Sequence, residues 1–294
     1  MVVKTRRISP IYTVIICALA LVLITVVIVL LLGYRYTSNE QGIKFLGKTE
    51  NGVPMKGSLN YPGDIDGDLD KANNTITFDN GDVYVGDISG LNRHGNGVMT
   101  YANGDKYEGQ WINDKMSGSG TFMYANGDVY QGEFVDGVPN GEGVSVFANG
   151  DRYEGGFKNG LKHGQGKATL TNGTTYEGEY ANDARNGEGT LILKFEDGTQ
   201  EIYTGGWVND QREDSKADIT YTNGEKYSGP FINDLPDTRA RDEDGKFITD
   251  DEGNYVHVEK AVYTKSKDGV QTTYTGYFEA GKIVTYKGQD LNSK

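Results

Sequence analysis

The sequence predicts an all-β repeat array, an antiparallel β-hairpin meander, preceded by one N-terminal transmembrane α-helix. The first observation is a tyrosine that recurs every 23 residues, at Tyr84, Tyr107, Tyr130, Tyr153 and Tyr176. The second is a Gly-x-Gly pair about eleven residues after each of these tyrosines, followed by an Asn-Gly turn. The third is an uncharged apolar run of 22 residues near the N-terminus. A period of this size is the signature of a repeat architecture.

The apolar run predicts a transmembrane anchor at residues 11–33, because about 20 apolar residues span a bilayer. A cleaved signal peptide is the alternative, but its apolar run is shorter and ends at a small-residue site. Here twelve apolar residues still follow Ala20. Three basic residues precede the run and favour a cytoplasmic side for residues 1–10. The expected location is the plasma membrane, with a single span, a cytoplasmic N-terminus and an extracytoplasmic repeat domain.

The domain organisation follows the period. Residues 34–60 are polar without a clear period, and they are expected to be a linker. The repeats are expected to occupy residues 61–234, where a degenerate unit at Tyr61 caps the array. The period then breaks, and residues 235–260 are interpreted as an inserted acidic hairpin. Residues 261–294 are expected to form a closing repeat and a C-terminal tail.

Each repeat is predicted to contain two short strands. In the unit that opens at Tyr107, apolar residues and glycines alternate with polar residues in both halves, which is the period of a strand. Asn-Gly and Asn-Asp pairs favour tight turns between these strands. A three-residue turn with a left-handed glycine would gather Phe122, Tyr124 and Tyr130 on one face. There we expect each ring to lie over the glycine backbone of a neighbouring strand.

This pattern resembles the MORN repeat family, whose name stands for membrane occupation and recognition nexus. The resemblance rests on the Tyr-x-Gly-x-aromatic opening, the Gly-x-Gly pair and the Asn-Gly turn, and it covers residues 61–231 and, loosely, 261–286. It implies an elongated MORN-type ribbon. It implies no single activity, because these repeats occur in proteins with different functions, some of which have a catalytic domain. Too few residues follow the last continuous unit for such a domain, so the chain is predicted not to be an enzyme.

Composition and charge exclude several classes of partner. The net charge is −13, and the chain beyond the apolar run has 26 basic and 42 acidic residues. The long-range field of such a domain repels nucleic acid and anionic lipid. Nucleic acid is therefore not an expected partner, and phospholipid binding, which the family name suggests, is disfavoured. The only cysteine, Cys17, excludes an intrachain disulfide.

No cofactor or metal ion is expected. His94 and His163 occupy the same place in their units, but they lie three repeats apart, which is too far for a shared metal. The acidic run at residues 64–70 resembles a calcium loop. However, Leu69 and Thr75 stand where the EF-hand pattern requires glycine and glutamate. Calcium is therefore not favoured as a ligand.

The predicted function is a membrane-anchored, non-enzymatic scaffold that presents the array to an unknown protein partner at the cell surface. Tyrosine-rich faces on rigid sheets suit protein recognition, so aromatic residues form the candidate interaction surface. They are Tyr107, Trp111, Phe122, Tyr124, Tyr130, Phe134, Tyr153, Phe157, Tyr176 and Tyr180. One alternative is binding of a cell-wall glycan, or of another small ligand, through a tyrosine-lined groove. Another is an array that is only a spacer, with rings that do no more than pack on glycine.

Overall fold

The computed structural model describes residues 10–62, 66–258, 260–267 and 270–284. The basic residues before the apolar run, the start of the calcium-like run and the C-terminal tail lie outside these described residues. The chain divides into two compact units, Met1–Ala125 and Asn126–Lys294. Each unit is described by itself.

Helix α1 spans Pro10–Leu31 and is apolar along its length. The side chains of Val14–Leu31 are not buried, and a helix of this length and composition is compatible with a membrane anchor and with a signal sequence. The helix ends before Gly33, whose φ of +85° is the left-handed conformation that terminates many helices. The Arg35 guanidinium donates a hydrogen bond of 2.6 Å to the Leu30 carbonyl, one of the last carbonyls without a helical partner.

The rest of the first unit is an antiparallel meander in which each strand pairs with the next. Its strands are β1 (Tyr34–Ser38), β2 (Lys44–Glu50), β3 (Val53–Asn60), β4 (Gly67–Asp70), β5 (Thr75–Phe78), β6 (Val83–Ser89), β7 (Asn92–Thr100), β8 (Lys106–Ile112) and β9 (Lys115–Met123). The predicted β-hairpin meander and N-terminal apolar helix are thus confirmed in this unit.

The second unit repeats this arrangement. Its strands are β10 (Val129–Val135), β11 (Val138–Val146), β12 (Arg152–Lys158), β13 (Leu161–Thr169), β14 (Thr175–Ala181), β15 (Ala184–Lys194), β16 (Gln200–Val208), β17 (Gln211–Arg212), β18 (Asp214–Tyr221), β19 (Lys226–Ile232), β20 (Leu235–Pro236), β21 (Ala261–Lys267), β22 (Val270–Glu279) and β23 (Lys282–Val284). All of its strand pairs are antiparallel among the residues that the structure describes.

Residues 34–60, expected to be a linker, form strands β1 to β3 instead. Phe45 takes the place of the recurring tyrosine, because its side chain is buried and its ring lies against Gly47. A left-handed turn at Asn51 joins β2 to β3. The prediction missed this hairpin because phenylalanine stands where the pattern has tyrosine. The Phe-x-Gly sequence and the Asn-Gly turn are the two features of the sequence that indicate it.

The start of the repeats is also corrected. Tyr61, expected to open the first unit, lies outside the strands, and its ring contacts Phe78 with centroids 5.5 Å apart. No glycine is placed against this ring among the described residues. The spacing of 23 residues was present at Tyr61, but the Gly-x-aromatic sequence that should follow was not.

The two glycines of each repeat have different roles. Gly118 has a φ of +61° and faces the side chain of Gln110, which lies at a bulge in the opposite strand. Gly120 faces the ring of Tyr107, and a Cβ there would lie 2.4 Å from the tyrosine oxygen. The expectation that a ring lies over glycine is therefore confirmed for the recurring tyrosines, but not for Phe122 and Tyr124. The first glycine allows the backbone conformation, and the second leaves room for the ring.

Every recurring tyrosine from Tyr84 to Tyr227 also makes the same hydrogen bond. Its hydroxyl donates to the backbone carbonyl three residues later, at 2.8 to 3.1 Å. In the unit that opens at Tyr203, Asp214 and Lys216 stand where glycines were expected. Tyr203 pairs with Ile219 there, and Ala217 lies beside Gly205, close to the Tyr203 hydroxyl. Alanine is the next smallest residue, so the ring still fits.

The predicted turn between repeats is confirmed where it lies within one unit. The Tyr101 N–H donates to the Asp105 carbonyl, and the N–H of Gly104 donates to the Tyr101 carbonyl. These bonds close a three-residue turn whose third residue, Gly104, is left-handed. The Asp105 carboxylate then accepts a hydrogen bond of 2.7 Å from the backbone N–H of Ala125, in the next such turn. Neighbouring turns are thus tied together at one edge of the sheet.

Residues 235–260, expected to be a hairpin, form an irregular segment between β19 and β21. After β20 it contains isolated bridges rather than a ladder, at Arg239–His257, Arg241–Phe247 and Thr249–Tyr255. The carboxylates of Asp242 and Asp250 each accept backbone N–H groups two and four residues later. The acidic residues therefore close two tight turns, which interrupt any long hairpin.

The insertion is fixed to the end of the sheet through buried polar groups. The Thr238 hydroxyl donates to the Phe278 carbonyl at 3.1 Å and lies 2.7 Å from His257 Nδ1. His257 Nε2 lies 3.4 Å from a carboxylate oxygen of Glu279, and the imidazole has no exposed surface. Burial lowers the pKa of His257, although Glu279 and Asp237 act in the opposite direction. The folded state therefore favours the neutral imidazole.

The first prediction concerns the space beneath the ring. We expect Gly166→Ala to lower the free energy of unfolding by about 1–3 kcal/mol, because its Cβ would overlap the Tyr153 ring. Gly276→Ala is the matched control, since nothing lies within 4 Å of the Cβ there. Urea unfolding of the full-length chain in detergent, followed by tyrosine fluorescence, measures both. Equal effects of the two substitutions would contradict this role of glycine.

The second prediction is a pH dependence. An unfolded histidine has a pKa of about 6.5 and binds more protons below that value than the folded His257 does. The stability contributed by neutral His257 is thus present above about pH 6.5 and is lost as the pH falls. We expect the melting temperature of the wild type to fall more between neutral and mildly acidic pH than that of His257→Gln. His94→Gln, at an exposed site, should behave like the wild type. The same pH profile for the wild type and His257→Gln would refute the prediction.

Candidate interaction face

The aromatic residues of the second unit form a continuous row of edge-to-face contacts. The Tyr153 ring lies 5.2 Å from Phe157 at 90° and 5.1 Å from Tyr180 of the next repeat at 85°. We call this row the aromatic ladder. Its members in contact order are Phe134, Tyr130, Phe157, Tyr153, Tyr180, Tyr176, Trp207, Tyr203, Phe231, Tyr227 and Phe278. In the first unit, Trp111 similarly contacts Tyr84 and Tyr107.

Eight of the ten residues predicted as an interaction surface are buried. They are Tyr107, Trp111, Tyr130, Phe134, Tyr153, Phe157, Tyr176 and Tyr180, with exposures between 0% and 8%. These rings offer no contact area to a partner, because they hold neighbouring strands together. Burial raises the pKa of Tyr107 and of Tyr180 to about 12. The hydroxyls therefore remain protonated at neutral pH.

The other two predicted residues retain accessible surface. Phe122 is half-buried and Tyr124 is 41% exposed, and their ring centroids lie 4.5 Å apart. Both lie towards the end of a repeat, beyond the row of seated tyrosines. The alternation of residues correctly gave the face of the sheet, but it did not show which rings on that face are covered.

Cations cover the ladder in several repeats. They stand nine residues after the recurring tyrosine, at Arg93, Lys162, Arg185 and Arg212. The Arg185 guanidinium lies 4.0 Å from the centre of the Trp207 ring, which is cation–π distance. Its Nε lies 3.0 Å from a carboxylate oxygen of Asp210, in the turn of the next repeat. One cation thus contacts both a ring and a turn.

The cation and the turn aspartate occur together. Arg93 pairs with Asp114, Arg212 pairs with Asp234, and the Lys162 backbone N–H donates to the Asp183 carboxylate. Where the turn has glycine instead, at Gly160, the residue in the cation position is Pro139, whose carbonyl accepts the turn N–H at 2.8 Å. The contact between cation and aspartate therefore adds to a backbone hydrogen bond, from the turn N–H to the carbonyl of the residue in the cation position, which these repeats share.

A groove runs beside the ladder in the second unit. Ala168 faces Tyr153 across the strand pair, where Phe122 faces Tyr107 in the first unit, and the smaller side chain leaves open space. Two adjoining cavities of about 450 Å³ and 380 Å³ share Lys162, Ala168 and Leu170. We call this feature the groove. Its main lining residues are Phe147, Lys162, Leu170, Arg185 and Leu193.

The groove combines apolar and charged surface. Leu170 is 39% exposed, and Phe147 and Leu193 are half-buried, so each offers apolar surface to solvent. The Lys162 ammonium lies 5.1 Å from the Tyr153 ring centre and 5.6 Å from that of Phe147. The opposite face carries solvated ion pairs such as Lys167–Glu177, whose side chains are both mostly exposed. Such pairs contribute little to stability, at most about 1 kcal/mol each.

The aspartates of the calcium-like run are engaged in other contacts. Among the described residues, no group of three histidine, cysteine, aspartate or glutamate side chains could hold a metal ion. In the described part of the calcium-like run, Asp68 accepts a hydrogen bond from Ser58 and Asp70 pairs with Lys56 at 3.1 Å. These carboxylates form cross-strand contacts at the surface of the first unit.

Comparison with known proteins identifies the repeats. The family model described as MORN repeat matches residues 92–106, 107–129, 130–152, 153–175, 176–194 and 203–213. No curated protein gives a significant match to the chain. Among solved structures, one described as a streptogramin B lyase structure is 17% identical, covers 85% of each chain and has a TM-score of 0.17. A TM-score this low supports no argument about the present chain.

The third prediction tests the pairing of cation and turn. We expect Arg185→Met to cost about 1 kcal/mol of stability, since methionine holds this position at Met116 but offers no charge. Asp210→Gly should be nearly neutral, because Asp210 has a φ of 69°, which glycine adopts freely. The stability loss of the double variant should be smaller, by about 0.5–1 kcal/mol, than the sum of the losses of the two single variants. Additive losses in urea unfolding would show that the two side chains do not interact.

Proposed function

Because residues 92–213 carry six MORN repeats, we propose that this chain is a non-enzymatic scaffold, anchored in the plasma membrane by residues 11–33, whose repeats recruit a protein partner outside the cell. Repeats of this family suggest a scaffold for interaction with proteins or membranes. The apolar helix supports the anchor, although it also fits a signal sequence. The basic residues before the helix support the orientation.

The groove is the observation that carries the proposal. Its apolar residues recur once per repeat, at Phe147, Leu170 and Leu193, beside cations whose positions are fixed by ring contacts. An apolar centre with charged groups at its margin is typical of protein interfaces. The ladder beneath the groove already orders the backbone, so little conformational entropy would be lost from this surface when a partner binds.

The alternative of glycan binding through a tyrosine-lined groove has less support at the buried rings. Tyr153 is only 1% exposed, whereas Tyr124 is 41% exposed. Phospholipid binding stays disfavoured, because the part of the chain after the apolar run has 26 basic and 42 acidic residues. A protein partner with apolar side chains complements the groove best, because the cations that line the groove are balanced by aspartates in the same lining.

The fourth prediction tests the groove in cells. A photo-crosslinking residue at Leu170 is expected to form adducts with a protein partner, whereas one at Glu177, which lies on the opposite face, should form none. The crosslinked protein should also bind the purified full-length chain. Leu170→Glu should weaken that binding by about tenfold or more, and Glu177→Lys should not.

The same cells test the orientation. Protease added to intact cells is expected to remove the repeats and the adducts together. Cleavage only after lysis would contradict an extracytoplasmic domain. Equal adducts from Leu170 and Glu177, or none from Leu170, would contradict the groove as the interaction face.

A further inference from the structure

A second cavity, of about 540 Å³, lies near the C-terminal end of the second unit. Strands β18, β19, β21 and β22 supply its lining, which includes the buried Ile219 and Phe278. We call it the tyrosine–lysine pocket, after the side chains that distinguish it from the groove. They are Tyr221, Tyr263, Lys265, Lys267 and Tyr274. Its volume lies in the range of small-molecule sites, about 300–1,000 Å³.

The tyrosines of this pocket differ from those of the ladder. Tyr263 and Tyr274 are directly opposite each other on β21 and β22, and Tyr274 is 45% exposed. No atom lies within 4 Å of a Cβ built at Gly276, the glycine two residues after Tyr274, so the Tyr274 ring does not rest on it. Ring faces that are buried elsewhere in the array are therefore open to a ligand here.

Burial and nearby carboxylates act on the hydroxyls of the two inner rings. Burial raises the pKa of Tyr221 and of Tyr263, and Glu201 and Glu225, respectively, raise it further. Glu201 also pairs with Arg212 at 2.7 Å. The two hydroxyls therefore remain neutral, and Glu201 is already paired.

The pocket also carries two lysines that have no ion-pair partner among the residues that the structure describes. Tyr263, Lys265 and Lys267 are every second residue of β21, so their side chains lie on the same side of the sheet. Elsewhere, exposed lysines such as Lys56 and Lys167 pair with carboxylates across the strands. Within the described ranges, neither pocket lysine has a carboxylate at ion-pair distance. Two unpaired ammonium groups in an acidic protein mark a place where an anion is favoured.

We propose that the tyrosine–lysine pocket binds an acidic sugar. The carbon–hydrogen face of a pyranose ring would pack on the Tyr263 and Tyr274 rings, and its carboxylate would pair with Lys265 and Lys267. An aromatic wall with a few fixed polar groups is the general composition of small-ligand sites. The pocket is separate from the groove, so this inference does not depend on a protein partner binding there.

The fifth prediction is a binding measurement on the full-length chain in detergent. By calorimetry, a short oligomer of glucuronic acid is expected to bind saturably. The uncharged glucose oligomer of equal length should bind at least about tenfold more weakly, because it cannot pair with the lysines. Inorganic phosphate should also bind more weakly, because it has no ring face. Equal binding of either probe would overturn the proposal.

Variants locate the site. Tyr274→Ala and the double substitution Lys265→Gln with Lys267→Gln should each weaken binding by about tenfold or more. The controls are Phe195→Ala, at a similarly exposed ring outside the pocket, and Lys167→Gln, on the opposite face. They should bind like the wild type, and melting temperatures should confirm that all variants are folded. No saturable binding of the acidic oligomer, or equal losses in variants and controls, would overturn the proposal. Either result would leave the crosslinking test at Leu170 unaffected.

Discussion

The structure depends on the contact between a tyrosine ring and backbone that has no side chain. The ring of Tyr153 lies against Gly166, and its hydroxyl donates to the Gly156 carbonyl. Burying the polar end of the ring therefore leaves no hydrogen-bond donor unsatisfied. Because the Tyr153 ring also meets Tyr180 of the next repeat, the contact stabilises a neighbour as well as its own strand pair. A chain with only 36% hydrophobic residues can fold in this way because few side chains are needed for each contact.

The same contact separates structural residues from residues available for binding. Rings that follow the repeat pattern closely are covered, whereas accessible surface occurs where the pattern changes. Ala168 stands where a larger residue would fill the space beside Tyr153, and the groove lies there. Tyr274 has no glycine beneath it, and its ring remains open. Departures from the repeat are thus the positions at which this chain can acquire a function of its own.

The meander, the turns and the seating of rings on glycine could be predicted, because each follows from contacts within one period. Burial of the rings could not be predicted in this way, because it depends on contacts between two repeats. The Arg185 guanidinium, for example, covers the Trp207 ring of the next repeat. Alternation specifies the face on which a side chain lies, but it does not specify what covers that face. The hairpin at Phe45 could not be predicted from the tyrosine period, because phenylalanine stands where the repeats have tyrosine, although its ring fits the same space. The insertion folds through turns at Asp242 and Asp250, and local propensity alone did not distinguish these from a hairpin.

The partnership of each cation with the following turn has a consequence for how such arrays change in evolution. Repeats of equal length share the backbone contact at each junction, but Arg185 keeps its ion pair only before a successor whose turn offers Asp210. The block containing Pro139 precedes a turn with Gly160 and makes the backbone contact alone. Duplication or loss of a block is therefore tolerated at most junctions, and it costs least between copies that carry the same junction residues.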